Sequence, residues 1–396
     1  MNHQTACGSP PLLPLLLLLA TTGVANGAQQ VYVKDGQLVG SDSRFVGRYT
    51  SQLNANVLGK LFEPVTPSDW ENVSMINATV LRYLVLDGDY LADVPLRLPS
   101  MLVLQLTKSA TIKPAVNLSL ENTTTFTGLV EMHDVRFSAV IGGTVDASSL
   151  PADASEYPYR RGYQAVAIKG GSNNAVRHVQ LRANNSDAAV GINESPYGEI
   201  AHCDIGGGPD GQGMTRGRCV WCLATSHALV HDNLVRNCSS HSLDFDAFTS
   251  TSAAYNNLCE DGIEEGIFVE ETASNNFIFN NTVRRNGCGI GVYSNAVGPV
   301  AGNMFINNLM EDNRGNALTT GGMGHVPSKT SLGNIFASNV ARNNGGHDGG
   351  QYNVHHGATL GDFWTDNSVE GDGDSPAYCS LPNNSSETVI FDPTPI

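Results

Sequence analysis

An all-β chain wound as a parallel β-helix is what this sequence predicts, and three observations carry the prediction. First, short strands recur in one register: Leu243-Asp-Phe-Asp246, Ile267-Phe-Val-Glu270 and Ile290-Gly-Val-Tyr293 repeat after 24 and then 23 residues. Alternate side chains point to opposite faces, so Leu243/Phe245, Ile267/Val269 and Ile290/Val292 turn inward, with Asp244/Asp246, Phe268/Glu270 and Gly291/Tyr293 outward. The same template fits Val166-Ala-Ile-Lys169, Val190-Gly-Ile-Asn193 and Val220-Trp-Cys-Leu223 upstream, and Leu318-Thr-Thr-Gly321 and Tyr352-Asn-Val-His355 downstream. Second, a column of Asn233, Asn257, Asn281, Asn308, Asn339 and Asn367 follows these strands, each flanked by apolar residues. Amides stacked one coil apart satisfy one another, so a polar column can be buried. Third, Asn and Gly mark the corners, and a fixed short period with one such strand per repeat is a solenoid signature.

Along the chain, residues 1–27 contain Leu12-Leu-Pro-Leu-Leu-Leu-Leu-Leu-Ala20 and end in Ala25-Asn-Gly27. That run is too short to span a bilayer and precedes a small-x-small site, so a secretory signal peptide is expected. Residues 28–80 are expected to cap the solenoid. Within them Leu53, Val57, Leu58, Leu61 and Phe62 share one helical face, with Thr50 or Ser51 as N-cap and Pro64 as the stop. Such an amphipathic helix would plug an open end of the coil. Residues 81–375 make the β-helix, and residues 376–396 a short tail over the last coil.

Composition agrees with an extracellular chain. Ten Asn-x-Ser/Thr sequons are present, at Asn72, Asn77, Asn117, Asn122, Asn184, Asn193, Asn237, Asn280, Asn383 and Asn384. Cys7 leaves with the signal, and the seven other cysteines cannot all pair with one another. Cys219-x-x-Cys222 falls on a strand, with Cys222 in the inward column, and reads as structural rather than as a redox or zinc motif. The formal net charge is −16, and residues 219–396, with 6 basic and 19 acidic side chains, hold −13 of it. That field disfavours nucleic acid and any polyanion not bridged by cations. No further apolar run of membrane length occurs.

The outward columns bring the chemistry together. One reads Lys169, Asn193, Leu223, Asp246, Glu270, Tyr293; its neighbour reads Ala167, Gly191, Trp221, Asp244, Phe268, Gly291. Adjacent coils stack about 4.8 Å apart, so Asp246 and Glu270 are expected as neighbours, with Asp244 about 6.5 to 7 Å along the strand. Three carboxylates then share one exposed patch. Retaining glycosidases hold their carboxyl groups ~5 to 5.5 Å apart and inverting ones ~6.5 to 9.5 Å. Crowded like charges raise the proton affinity of one member, which makes a general acid. Asp246, Glu270 and Asp244 are therefore the candidate catalytic residues. Trp221, Phe268, Tyr293, Asn193, Lys169, His241 and Glu271 are the candidate substrate contacts, the aromatics offering flat faces to sugar rings. Against this stands an ordinary acidic face, although opposed like charges destabilise a sheet.

Leu86-Asp-Gly-Asp-Tyr90, Pro95-Leu-Arg-Leu-Pro-Ser100 and Ile141-Gly-Gly-Thr-Val-Asp146 resemble the opening coils of secreted pectin-lyase-like right-handed β-helix proteins. That superfamily includes polygalacturonases, pectate and alginate lyases and uronan epimerases, and the resemblance covers about residues 80 to 375. Asn-Thr-Asp, Gly-His-Gly, Arg-x-Lys and Asp-Pro-His strings of its individual families are absent, so the resemblance reaches the fold and no one activity. The expectation is a secreted enzyme that cleaves an extracellular polysaccharide by glycoside hydrolysis and needs no cofactor. The second reading is a uronan lyase or C5-epimerase. There the resemblance implies Ca²⁺, for which Asp244, Asp246, Glu270 and Glu271 are the oxygen donors, and a Lys or Arg base. Lys169, three coils away, and Arg216 and Arg218, in a longer corner, are poorly placed for that base. The third reading is a non-catalytic glycan-binding or cell-surface structural protein.

Overall fold

The computed structural model describes Val31–Lys34, Gln37–Gly40 and residues 82–380 except 93, 116–126, 151–162, 184–187, 208–216, 295–297, 323–330, 346–353, 357–358, 361 and 371–378. The described residues form strands and corners and no helix. Three sheets, of 13, 11 and 11 strands, run along one axis, parallel throughout except for one strand at the start of the first, and each coil adds one strand to each sheet. This is the expected β-helix. A two-stranded parallel sheet, Ser331–Leu332 with Thr359–Leu360, is added at one corner of the late coils.

The register in the central coils follows from inward apolar alternation, since a slip of one residue would expose every core side chain. Val190 pairs with Val220, Val220 with Leu243, Leu243 with Ile267 and Ile267 with Ile290. All five are buried. Cys222 pairs with Ile192 and Phe245 and is fully buried, a structural thiol as its position predicts. The last coil departs from the expected pairing: Leu318 meets Val354 and Thr319 meets His355, two residues from the Tyr352 register. Alternation is unchanged by a shift of two, so sequence period alone does not distinguish the registers.

The Asn column is a continuous ladder. Asn233, Asn257, Asn281, Asn308 and Asn339 each donate from Nδ2 to the Oδ1 of the next, at 2.9 to 3.0 Å, ending at Asn367. Two further ladders mark the other corners, Asn276-Asn303-Asn334-Asp362 and Asn286-Asn313-Asn344. The core adds a stack of its own, Phe305 on Phe336 at 4.8 Å and Phe336 on Trp364 at 4.1 Å.

Cys219 and Cys238 form a disulfide within one coil, while Cys203, Cys222, Cys259 and Cys288 are free thiols. The expected helix over residues 49–62 lies outside the described residues, as does the leader at 1–27. What is described of 28–80 is an antiparallel hairpin, Val31–Lys34 with Gln37–Gly40, whose first strand runs parallel to Arg82–Leu86 and extends the first sheet. At the other end, Cys379–Ser380 pairs with Val354–His356, so the third sheet continues past residue 375.

Candidate active site

The candidate site lies on the outer side of the third sheet, where Arg218–Leu223, Leu243–Phe245, Glu265–Glu270 and Cys288–Ser294 stack in sequence. Trp221 pairs with Asp244, Asp244 with Phe268, and Phe268 with Gly291; Glu270 pairs with Tyr293. Phe245 faces Val269, so Asp246 follows in register beside Glu270. Oxygens of Asp246, Glu270 and Glu271 lie within 4.8 Å of one another, as do donor atoms of His241, Asp244 and Glu270. The structure thus brings Asp244, Asp246, Glu270, Glu271, His241, Trp221, Phe268 and Tyr293 into one cluster.

The cluster is not the open acidic face that the columns predict. Asp244 is fully buried, Asp246 is 6% exposed and Glu270 9%. The reason is Arg218, which bonds Asp244 Oδ2 through Nε and places Nη2 3.3 Å from Glu270 Oε1 and 3.6 Å from Asp246 Oδ2. Its guanidinium also lies over the Trp221 ring, 4.6 Å from the centroid. Arg218 was expected in a longer corner, poorly placed to meet the acids. Instead it opens the strand itself, two residues before Val220, and spans two coils with its own side chain. A signal for this was present: extending the strand template two residues upstream aligns Arg218, His241, Glu265 and Cys288.

Asp246 is held from two sides, by Trp221 Nε1 to Oδ2 at 2.9 Å and by the Ala247 amide to Oδ1 at 2.6 Å. Glu270 holds its proton more tightly than an ordinary glutamate. Burial first, and then the charge of Asp246, push its carboxyl up to about 8, against the opposing pull of Arg218. Burial also works against the Arg218 charge, but Asp244, Asp246 and Glu270 outweigh it and hold the guanidinium protonated. Arg218 therefore accepts no proton near neutral pH.

Glu265 is a second residue that the outward columns missed. His241 Nδ1 sits 2.9 Å from Glu265 Oε2, and His241 holds the Glu265 carboxyl below its ordinary range despite burial. The His241 ring stacks on Phe268 at 4.1 Å, and Phe268 meets Tyr293 at 5.3 Å. Gly291 allows this packing, because a Cβ there would stand 2.8 Å from the Phe268 ring and 2.9 Å from Glu265 Cγ. Burial pushes the Tyr293 hydroxyl up to about 12.

Four expected roles change on this geometry. Asp244 is sealed beneath Arg218 and cannot touch a substrate; burial pushes its carboxyl well above the ordinary range against the pull of Arg218, and its part is to hold that guanidinium. Phe268 has His241 stacked on it and is 6% exposed, leaving no platform for a sugar. Asn193 pairs with Leu223, two strands from Asp246, and lies outside the cluster. Lys169 pairs with Asn193, Asn193 with Leu223, and only the next strand carries Asp246, so Lys169 lies outside the cluster. Trp221 and Tyr293 remain half-buried at its edge.

A calcium ion does not fit. Its six to eight oxygen ligands would have to come from acids that already surround a guanidinium, with Asp244 Oδ2 bonded to Arg218 and both Asp246 oxygens taken by N–H donors. The arrangement already surrounds a cation of its own, the Arg218 guanidinium. It can hold one protonated carboxyl beside a second carboxylate.

A family model described as a right handed beta helix region matches residues 155–309, which include the whole cluster. No curated protein matches the chain. Among solved structures, a polygalacturonase from Erwinia carotovora ssp. carotovora is similar at 12% identity and a TM-score of 0.59, covering 91% of this chain and 96% of the other. The A-module of the Azotobacter vinelandii mannuronan C-5 epimerase AlgE6 is similar at 12% identity and a TM-score of 0.56, covering 83% and 94%. The Dettilon tailspike protein gp208 is similar at 12% identity and a TM-score of 0.55; 73% of this chain spans 62% of that one. Such identities establish architecture and not activity. Coil register, three continuous sheets and the family match agree on one architecture, and the chain has the fold of a right-handed parallel β-helix.

Proposed function

We propose that this protein is a secreted enzyme that hydrolyses glycosidic bonds in an extracellular polysaccharide, with Glu270 as the proton donor and Asp246 as its carboxylate partner. The observation that carries the reading is the pairing of a carboxyl held near 8 with a second carboxylate whose oxygen lies within 4.8 Å. That spacing is nearer the ~5 to 5.5 Å of retaining enzymes than the ~6.5 to 9.5 Å that leaves room for water. In this reading Glu270 protonates the leaving oxygen as the glycosidic bond breaks, and Asp246 supports the developing positive charge at the anomeric carbon. Arg218 and Asp244 position the pair. Trp221 and Tyr293 border the sugar, and His241 and Glu265 orient the strand beneath it.

Support for a polysaccharide substrate comes from the polygalacturonase and epimerase architectures, and for hydrolysis from the state of Arg218. A lyase or an epimerase needs a base to remove a proton from carbon. Arg218 is held protonated by three acids, and Lys169 is three strands distant. The leader and the ten sequons support secretion.

The test is turnover on a panel of plant, algal and microbial polysaccharides. The expected result is new reducing ends without the near-ultraviolet absorbance of an unsaturated uronide. The first-formed anomer retains its configuration by NMR, and chelator has no effect. Glu270→Gln and Asp246→Asn each lower kcat by about 10²- to 10⁴-fold. Unsaturated product would replace this reading with the lyase. Undiminished turnover in both variants would move the chemistry elsewhere on the helix. Binding without turnover across the panel would leave a non-catalytic glycan-binding protein.

A further inference from the structure

A second cluster of ligating side chains lies on the outer face of the first sheet, away from the carboxylates of the third. Val230 is buried within Leu229–His231, so alternation turns His231 outward, in register with Ala201 on one coil and Tyr255 on the next. His202 and Asp232 occupy the same corner one coil apart, each at a positive φ of 55°. The corner conformation projects both side chains beside the His231 ring. Donor atoms of His202, His231 and Asp232 all lie within 4.8 Å of one another.

Each member is held by a neighbour. His231 Nε2 is 3.1 Å from Glu199 Oε1, and its Nδ1 is 2.7 Å from Asp232 Oδ2. The other Asp232 oxygen accepts from Asn256 Nδ2 at 3.2 Å. One face of His231 stacks on Tyr255 at 4.6 Å. His202 is stacked on His178 at 4.7 Å and stands edge-on to His231 at 5.6 Å. Glu199 is in turn bonded by Arg177.

Two imidazoles and one carboxylate, with a carboxylate on the far nitrogen of one imidazole, make a donor set suited to a divalent transition ion. Around such an ion, bonds of ~2.0 to 2.2 Å place ligand atoms roughly 3.3 Å apart. The donor atoms, within 4.8 Å of one another, have to close to that distance when the ion binds. The ion displaces the proton shared between His231 Nδ1 and Asp232, while Glu199 continues to fix the ring from Nε2.

We propose that His202, His231 and Asp232 form a zinc-class metal site on the first sheet, oriented by Glu199 and Asn256, with water completing the coordination. The competing account is a purely structural chain of charges, Arg177 to Glu199 to His231 to Asp232. That account explains the bonds to His231 and gives His202 only its ring contacts, whereas its ligating nitrogen meets the same group from the adjacent coil.

The test is titration of the full-length, metal-stripped protein with Zn²⁺ alone, followed by calorimetry and by competition with a chromophoric chelator. One Zn²⁺ is expected per chain at this site, and Co²⁺ in its place gives a visible absorption band. His202→Ala, at an exposed corner, keeps its thermal midpoint without metal but loses binding by at least about 100-fold, as does Asp232→Asn. Glu199→Gln, an orienting change, weakens binding about 10- to 100-fold. The proposal is overturned if the wild-type chain takes up no Zn²⁺. It is equally overturned if His202→Ala and Asp232→Asn bind as the wild type does, with uptake lost instead in His241→Ala. Neither result bears on polysaccharide turnover, which is read from the other sheet.

Discussion

Glu270 is 9% exposed and has Asp246 one coil away, and both facts raise the cost of its negative charge. The consequence for stability has a definite sign. In the unfolded chain the carboxyl has its ordinary value of 4.5 and in the folded one about 8, so folding tightens its hold on a proton. Its favourable contribution is complete below the lower value and is lost as pH rises through the upper. Glu270→Gln cannot ionise. Its thermal midpoint should therefore gain on the wild type by a few degrees between roughly pH 5 and pH 9, measured by calorimetry at constant salt. In turnover the same group sets an alkaline limb, with kcat falling as pH passes about 8. A difference in midpoint that stays constant across that range would mean that Glu270 carries its charge throughout. The acids themselves were legible in the sequence because strand alternation places them. Arg218 was not, because its reach depends on where the strand begins and on a long side chain lying across two coils.

At the scale of elements, each corner is held by a ladder whose members satisfy one another. Asn308 donates from Nδ2 to Ile278 O at 2.9 Å and to Asn339 Oδ1 at 3.0 Å, and its Oδ1 accepts from the Asn281 amide and side chain. Asn308→Ala removes these partners at once and leaves buried polar groups unpaired, at about 1 to 3 kcal/mol for each. A loss on the order of 3 kcal/mol is expected in urea unfolding. Asn307→Gly, at the exposed neighbouring corner with φ of 53°, should stay within about 0.5 kcal/mol. Equal effects would show that the ladder adds nothing beyond corner geometry. One ladder was readable because hydrophobic-x-Asn-x-hydrophobic repeats in step with the strands. A second was equally regular, since Asn286 follows Thr282–Arg284 by one corner residue, Arg285, just as Asn281 follows Phe277–Phe279 by Asn280. The aromatic run of Phe305, Phe336 and Trp364 sits in a core column where any large apolar residue would have been expected.

Over the whole molecule, charge is uneven, with residues 219–396 holding −13 of the formal −16. Arg218 shields the carboxylate cluster locally and does not cancel that field. A polyanionic glycan should therefore bind more tightly as salt is raised from ~10 mM to ~150 mM, whereas binding of a neutral glycan should be unaffected. The measurement is KM or Kd against ionic strength for both kinds of glycan. A polyanion that binds more weakly with added salt would place its binding away from the acidic residues of 219–396. Among the described residues no helix is long and apolar enough to cross a membrane.

By itself the sequence determined the architecture: the coil period, the inward column from Val190 to Ile290, the Asn233 to Asn367 ladder and the adjacency of Asp246 and Glu270. These depend on alternation and on a repeat, which are local properties restated in every coil. Only the tertiary structure decided that the acids are buried beneath Arg218, that Phe268 is covered by His241, that Cys219 pairs with Cys238, and that His202 meets His231 and Asp232. Each of those depends on where a strand starts or a corner turns and on how far a side chain then reaches, and no period in the sequence encodes that distance.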